Sequence, residues 1–186
     1  MMAIPRVYKF RYSEGFEWLL PANDADFELL RFDGQRKSSS WRPIRMKRLK
    51  VTEQGRPLEP SDFPACSGGD VLILGRAARD RIGWHLERYG ELLPLLCDDG
   101  DFWVLNVTRL VDALDEHNSQ LLRASDTGAI LMVRKHAFRA AALDQAELFK
   151  VPQMVCGLIY VTDPFVELVR ASGLKGLEFV QVWPPS

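Results

Sequence analysis

From Ile4 to Tyr12 the run IPRVYKFRY interleaves branched and aromatic residues with charged ones, which predicts a strand ended by a turn at Glu14-Gly15. Phe27–Phe32 (FELLRF) is a second apolar run, closed by the turn signal Asp33-Gly34. In Trp41–Val51 (WRPIRMKRLKV), Ile44 and Met46 share one face while Arg45 and Lys47 share the other. The period of two slips at Arg48 and resumes at Leu49 and Val51, which predicts a strand carrying a bulge. Between Glu53 and Gly69, Gly55, Pro57, Pro60, Pro64, Gly68 and Gly69 forbid a regular element. That stretch is the candidate boundary. It divides a strand-rich lobe over residues 1–60 from an α+β domain over 61–186, unless the chain forms one continuous domain 1–186.

Beyond the boundary the periods are clearer. Val71–Leu74 (VLIL) reads as a short buried strand, and Ala78, Ile82, Leu86 and Tyr89 then recur at helical spacing, with Gly90 as the expected stop. Glu91–Leu96 and Asp101–Val107 flank the turn Cys97-Asp98-Asp99-Gly100 and predict a hairpin. Residues 109–119 have the pattern of one or two helical turns, and Ala129–Val133 that of a strand. Leu148–Val151 and Leu158–Val161 read as strands, followed by a helix that Asp163 caps, Pro164 opens and Gly173 closes. Leu177–Trp183 (LEFVQVW) is a final strand. The fold class that follows is α+β, mostly antiparallel and strand-rich, with two or three short helices, because most connections are too short for parallel crossovers.

Composition adds bounds. With 186 residues, 47% hydrophobic and 26% charged, the chain is an ordinary globular sequence of about one domain. No stretch of about 18 apolar residues occurs, and Pro5, Arg6, Lys9 and Arg11 interrupt any signal-peptide core, so a cytoplasmic location without membrane insertion is expected. The three cysteines, Cys66, Cys97 and Cys156, are far apart and odd in number, which argues against a disulfide framework and for a reducing compartment. No close pair of metal ligands and no cofactor motif is present, so neither a metal nor a cofactor is expected.

Charge is balanced in sum and polarised in parts. Residues 87–118 hold eight carboxylates against Arg88 and Arg109, whereas residues 31–60 hold nine basic side chains against three acidic ones. Either the two segments face each other within the fold, or a partner of complementary charge docks on one of them. Nucleic acid is disfavoured because the net charge is −1 and the basic segment has no series of aromatics for stacking. An enzymatic alternative, a small hydrolase or ligand-binding domain, would use His85 or His136 with a distant carboxylate in a pocket. The third histidine, His117, lies in a polar turn.

Five stretches carry a resemblance: Asn106-Val107-Thr108, then Asp112-Ala113-Leu114-Asp115, Leu148-Phe149-Lys150-Val151-Pro152, Val161-Thr162-Asp163, and Gly173-Leu174-Lys175-Gly176-Leu177-Glu178-Phe179. In this order they resemble the bacterial immunity proteins of polymorphic toxin systems, in particular the myxobacterial-type immunity domain, over roughly residues 70–183. The resemblance implies a non-enzymatic protein that binds and neutralises a cognate protein toxin. None of the motif residues is thereby assigned to the contact, since caps and turns account for them. The charged segments supply the expected contact residues: Asp98, Asp99 and Asp101 at the hairpin tip, suited to the cationic cleft of a nuclease, and Arg42, Arg45 and Lys47 on the basic strand. A homodimer covering an unpaired strand edge is also compatible with such a fold.

Overall fold

A computed structural model describes residues 5–185 of the chain. Among these residues, eleven strands make four small sheets in which they pair antiparallel, joined by two α-helices and three short 3-10 helices, so the α+β, mostly antiparallel expectation holds. Ile4, the start of the first expected strand, lies outside the described residues.

The central sheet is assembled from both ends of the chain. Strand β1 (Val7–Tyr12) lies between β11 (Leu177–Trp183) and β10 (Tyr160–Thr162), and β10 is flanked by β9 (Leu148–Phe149). One face of β1 sends Tyr8, Phe10 and Tyr12 into one cluster, while on the other Val7 enters a second cluster before Lys9 and the exposed Arg11 turn that face polar. Val7 packs with Phe149 and Tyr160, while Tyr8 and Phe10 pack with Leu148, Val161 and the helices. A division at residue 60 would part β1 from both of its neighbours.

The helices follow their stripes. Helix α1 (Arg76–Leu86) buries Ala78, Ile82 and Leu86, and α2 (Asp163–Ser172) buries Phe165, Val166 and Val169 in the same cluster. Each of these side chains larger than Ala78 contributes roughly 1.5–3 kcal/mol relative to exposure. Gly173 closes α2 with φ of 68°, the left-handed conformation expected of it. Two end signals act differently from expectation. Gly90 is not a helix stop but the first residue of β5 (Gly90–Leu95), and it is small because a Cβ there would sit 2.1 Å from the carbonyl oxygen of Asn106 on the neighbouring strand. Asp163 does not cap α2. Thr162 holds the cap position, and the Asp163 carboxylate instead accepts from the Tyr8 hydroxyl at 2.9 Å and pairs with Arg6 at 2.8 Å.

The expected hairpin is present. β5 and β6 (Phe102–Val107) pair from Gly90↔Val107 to Leu95↔Phe102, and β4 (Ile73–Gly75) adds to the other edge of β6. Strand β3 (Met46–Leu49) pairs with β2 (Trp18–Pro21) in an unbroken register, so the bulge expected near Arg48 is absent. Arg48 continues the inward face of Ile44 and Met46, and its charge is met there by Glu17, itself buried, at 2.6 Å. Buried alternation therefore survives a charged residue because the partner is buried with it.

Two further segments differ. Phe27–Phe32 lies mostly in a 3-10 helix, Asp24–Leu30, begun by the Asn23 side chain accepting the Ala25 N–H at 3.2 Å. Residues 109–119 form no helix, since their backbone groups bond outward: Val111 N–H to Lys150 O at 2.9 Å, Asp115 N–H to Ala137 O at 2.9 Å, and Arg139 N–H to Ala113 O at 2.8 Å. The long connection through Pro57 and Pro64 covers the free edge of β2, whose Leu19 N–H donates to Ala65 O at 2.8 Å. Strand β7 (Gln120–Arg123), which sequence reading passed over, pairs with β8 (Ile130–Lys135) in a ribbon.

Candidate functional site

The two charged segments meet. Strand β3 runs beside the tip of the β5–β6 hairpin because Met46 N–H donates to Leu96 O at 2.7 Å and Leu96 N–H to Ile44 O at 2.9 Å. This places Arg45 3.3 Å from Asp98, Lys50 2.9 Å from Asp99, and the Arg48 guanidinium 2.9 Å from the Asp99 carbonyl oxygen. Arg76, at the start of α1, pairs with Asp101. The Lys50 ammonium holds the Asp99 carboxyl below its usual range. Asp98, Asp99, Asp101 and Arg45 thus share one solvent-facing patch of mixed sign. The tip is not the uncompensated acidic cluster that its local sequence suggests.

Arg42 and Lys47 fall outside this ion-pair set. Both are exposed, and Arg42 borders a small cavity with Trp41, Leu29 and Glu28 rather than the hairpin tip. A second polar knot lies deeper. Glu91, almost fully buried, accepts from the backbone N–H of Lys37 at 2.7 Å and from the Asn106 side chain at 2.9 Å, and Asn106 also donates to Gln35 O at 2.8 Å. Backbone and amide donors keep the Glu91 carboxyl ionised against the burial that opposes it. Glu91 thereby fixes the polar loop after Asp33-Gly34.

The histidines are engaged one by one and are not brought together. His85, largely buried on α1, has Nε2 2.7 Å from a carboxylate oxygen of Glu147. His136 is also buried, its Nε2 3.1 Å from the Tyr160 hydroxyl, and burial together with the nearby Lys9 pushes its pKa down to about 4. His117 is exposed. A groove of about 690 Å³ is bordered by Arg11, Tyr12, Trp18, Leu58 and Leu158, and neither buried histidine lines it. Cys66 is buried, with its thiol pushed up to about 12, and among the described residues no cluster of three potential metal ligands occurs.

One surface feature had no place in the sequence-based expectations. The β7–β8 ribbon exposes Leu122, Leu131 and Met132. The available signal was the turn-forming cluster Ser125-Asp126-Thr127-Gly128 between the apolar runs Leu121-Leu122 and Ile130–Val133.

Residues 98–183 match the model of the immunity protein family Imm11. The matched segment begins at the hairpin tip and ends with β11, so it contains Asp98, Asp99, Asp101 and the ribbon but not β3. The resemblance read from the motifs reaches further back, to about residue 70. No curated protein matches the chain.

Proposed function

We propose that this chain, which carries an immunity-family segment over residues 98–183, is an immunity protein that binds a cognate bacterial toxin domain and neutralises it stoichiometrically by occlusion. The family match is the observation that carries this reading. It acts in the cytoplasm of the cell that makes it, as a binder and not as a catalyst. The engagement of His85 by Glu147 and of His136 by Tyr160 supports a structural use of these rings. Among the described residues no helix is long and apolar enough to cross a membrane.

The patch of Asp98, Asp99, Asp101 and Arg45, with the exposed Arg42 and Lys47 beyond it, is the charged surface on which encounter is oriented. Exposed ion pairs contribute little to folding, so their partners can be exchanged for a toxin's charges at small cost. Co-expression with the product of the adjacent gene in a naive host, scoring growth and co-purification together, tests the whole reading. Rescue of growth with a recovered stoichiometric complex supports it. A toxic neighbour that is neither bound nor neutralised refutes it.

A second reading, a small hydrolase or ligand-binding domain, draws on the contact between His85 and Glu147 at 2.7 Å, near Tyr89. Growth rescue that survives Glu147→Gln unchanged removes it.

A further inference from the structure

The β7–β8 ribbon has one attached face and one free one. Ile130 and Val133 pack against the cluster of Ala113, Leu114 and Phe138. Strict alternation would then turn Leu131 and Met132 to opposite sides. The register instead steps from Leu122↔Met132 to Arg123↔Ile130, leaving Leu131 without a cross-strand partner. The extra residue lets both neighbours face solvent, at 59% for Leu131 and 54% for Met132, beside Leu122 at 38%. Bulges of this kind re-aim side chains. The fold uses Ile130 and Val133 to hold the ribbon and leaves this apolar triad unaccounted for.

Its surroundings are cationic. Between residues 120 and 135 the charges are Arg123, Arg134 and Lys135 against Asp126 alone. Arg123 is engaged by Glu116 and by Gly128 O. Arg134 and Lys135 are exposed and make no ion pair among the described residues.

We propose that the free face of the ribbon, Leu122, Leu131 and Met132 rimmed by Arg134 and Lys135, is the apolar anchor for the toxin, and that the toxin meets it with an apolar depression bordered by carboxylates. This rests on the immunity reading and names the contact that supplies its affinity. A few central residues that become desolvated inside a rim excluding water carry most of the free energy of protein association, and methionine suits an adaptable surface. The rim selects among occupants. A second copy of the chain docked ribbon to ribbon would set Arg134 and Lys135 against their own copies. A lipid surface would call for aromatic side chains at the interface, and residues 120–135 include no Phe, Trp or Tyr.

The test compares the full chain with Leu131→Ser/Met132→Ser and with Arg134→Glu/Lys135→Glu, each checked by circular dichroism and melting temperature. Titration of the purified adjacent-gene polypeptide is the binding probe. Wild-type binding that weakens at least about tenfold in the serine variant, with the melting temperature unchanged, supports the ribbon. Loss of affinity in the charge-reversed variant, restored in part by higher salt, supports the carboxylate-bordered partner. Wild-type binding that both variants retain in full overturns the ribbon and leaves the immunity reading standing, whereas absence of wild-type binding overturns both. A wild-type dimer in solution that the serine variant dissociates, or vesicles of phosphatidylglycerol that bind the wild type and not the variants, would assign the surface to another occupant and overturn the proposal.

Discussion

Acid should destabilise this protein through His136 before it titrates most of the carboxylates. The ring lies on Phe138, with centroids 6.0 Å apart and planes at 12°, and meets Tyr160 edge-on at 5.5 Å. Burial among these rings opposes the imidazolium, and the Lys9 charge adds to the effect, so the folded pKa falls from 6.5 to about 4. The depressed value means that the unfolded chain binds the proton first. Stability associated with neutral His136 is therefore complete above about pH 6.5 and is lost as pH falls toward 4. Integrating the two titrations gives a loss of about 2 kcal/mol at pH 5 and about 3 kcal/mol at pH 4, relative to pH 8. His136→Gln keeps a polar group near the Tyr160 hydroxyl and removes the titration. Urea unfolding of both proteins at half-unit steps from pH 8 to pH 4 isolates the effect, because the carboxylates are common to both. The wild-type curve should fall away from the variant's by about 3 kcal/mol over that range. Parallel curves would show that His136 is charged at little cost in the folded state and would refute the argument.

Other consequences are briefer. Gly90→Ala places a methyl carbon 2.1 Å from the Asn106 carbonyl oxygen, within a paired strand that cannot retreat, and should cost about 3 kcal/mol or more in chemical denaturation. Glu91→Ala leaves the Lys37 N–H and the Asn106 amide without their acceptor, which should cost about 2–5 kcal/mol and speed tryptic cleavage at Arg36 and Lys37. Replacing Asp98, Asp99 and Asp101 together by Ser should leave the melting temperature unchanged, because these pairs are exposed, while lowering both toxin affinity and its salt sensitivity; unaltered binding at low salt removes the tip from the contact.

What the sequence made legible is what local chemistry decides alone. The β5–β6 hairpin, the Gly173 helix stop and the Leu177–Trp183 strand follow from turn residues and periods that tertiary packing reinforces. The errors share a different cause. Arg48 looks like a slip of the pattern because its partners, Glu17 and the Asp99 carbonyl, are 31 and 51 residues away, and they make an inward arginine tolerable. Residues 109–119 carry a helical pattern, yet their backbone bonds go to Lys150 and Ala137, acceptors that no local period announces. Gly90 shows the same thing in reverse. It follows a helix as a stop glycine does, but what selects glycine there is the approach of Asn106, a contact across strands.

The charged segments show how far local reading extends toward function. An excess of carboxylates over residues 87–118 and of cations over 31–60 is a property of sequence windows, whereas a binding surface is a property of neighbours in space. Once Arg45, Lys50 and Arg76 lie against Asp98, Asp99 and Asp101, the two excesses largely cancel at the tip, leaving a patch of mixed sign that sets a partner's register at short range and does not draw it in from a distance. The ribbon has the opposite history. Its window between residues 120 and 135 holds only four charges, and its local pattern gives no more than a strand over Ala129–Val133, yet its bulge exposes three large apolar side chains beside two cations without ion pairs among the described residues. A surface that keeps its charge uncompensated and its apolar residues in water has more free energy to gain from a partner than one whose charges are already paired. That difference, and not the size of either charge run, is why the contact that supplies affinity belongs on the ribbon while the mixed patch contributes orientation.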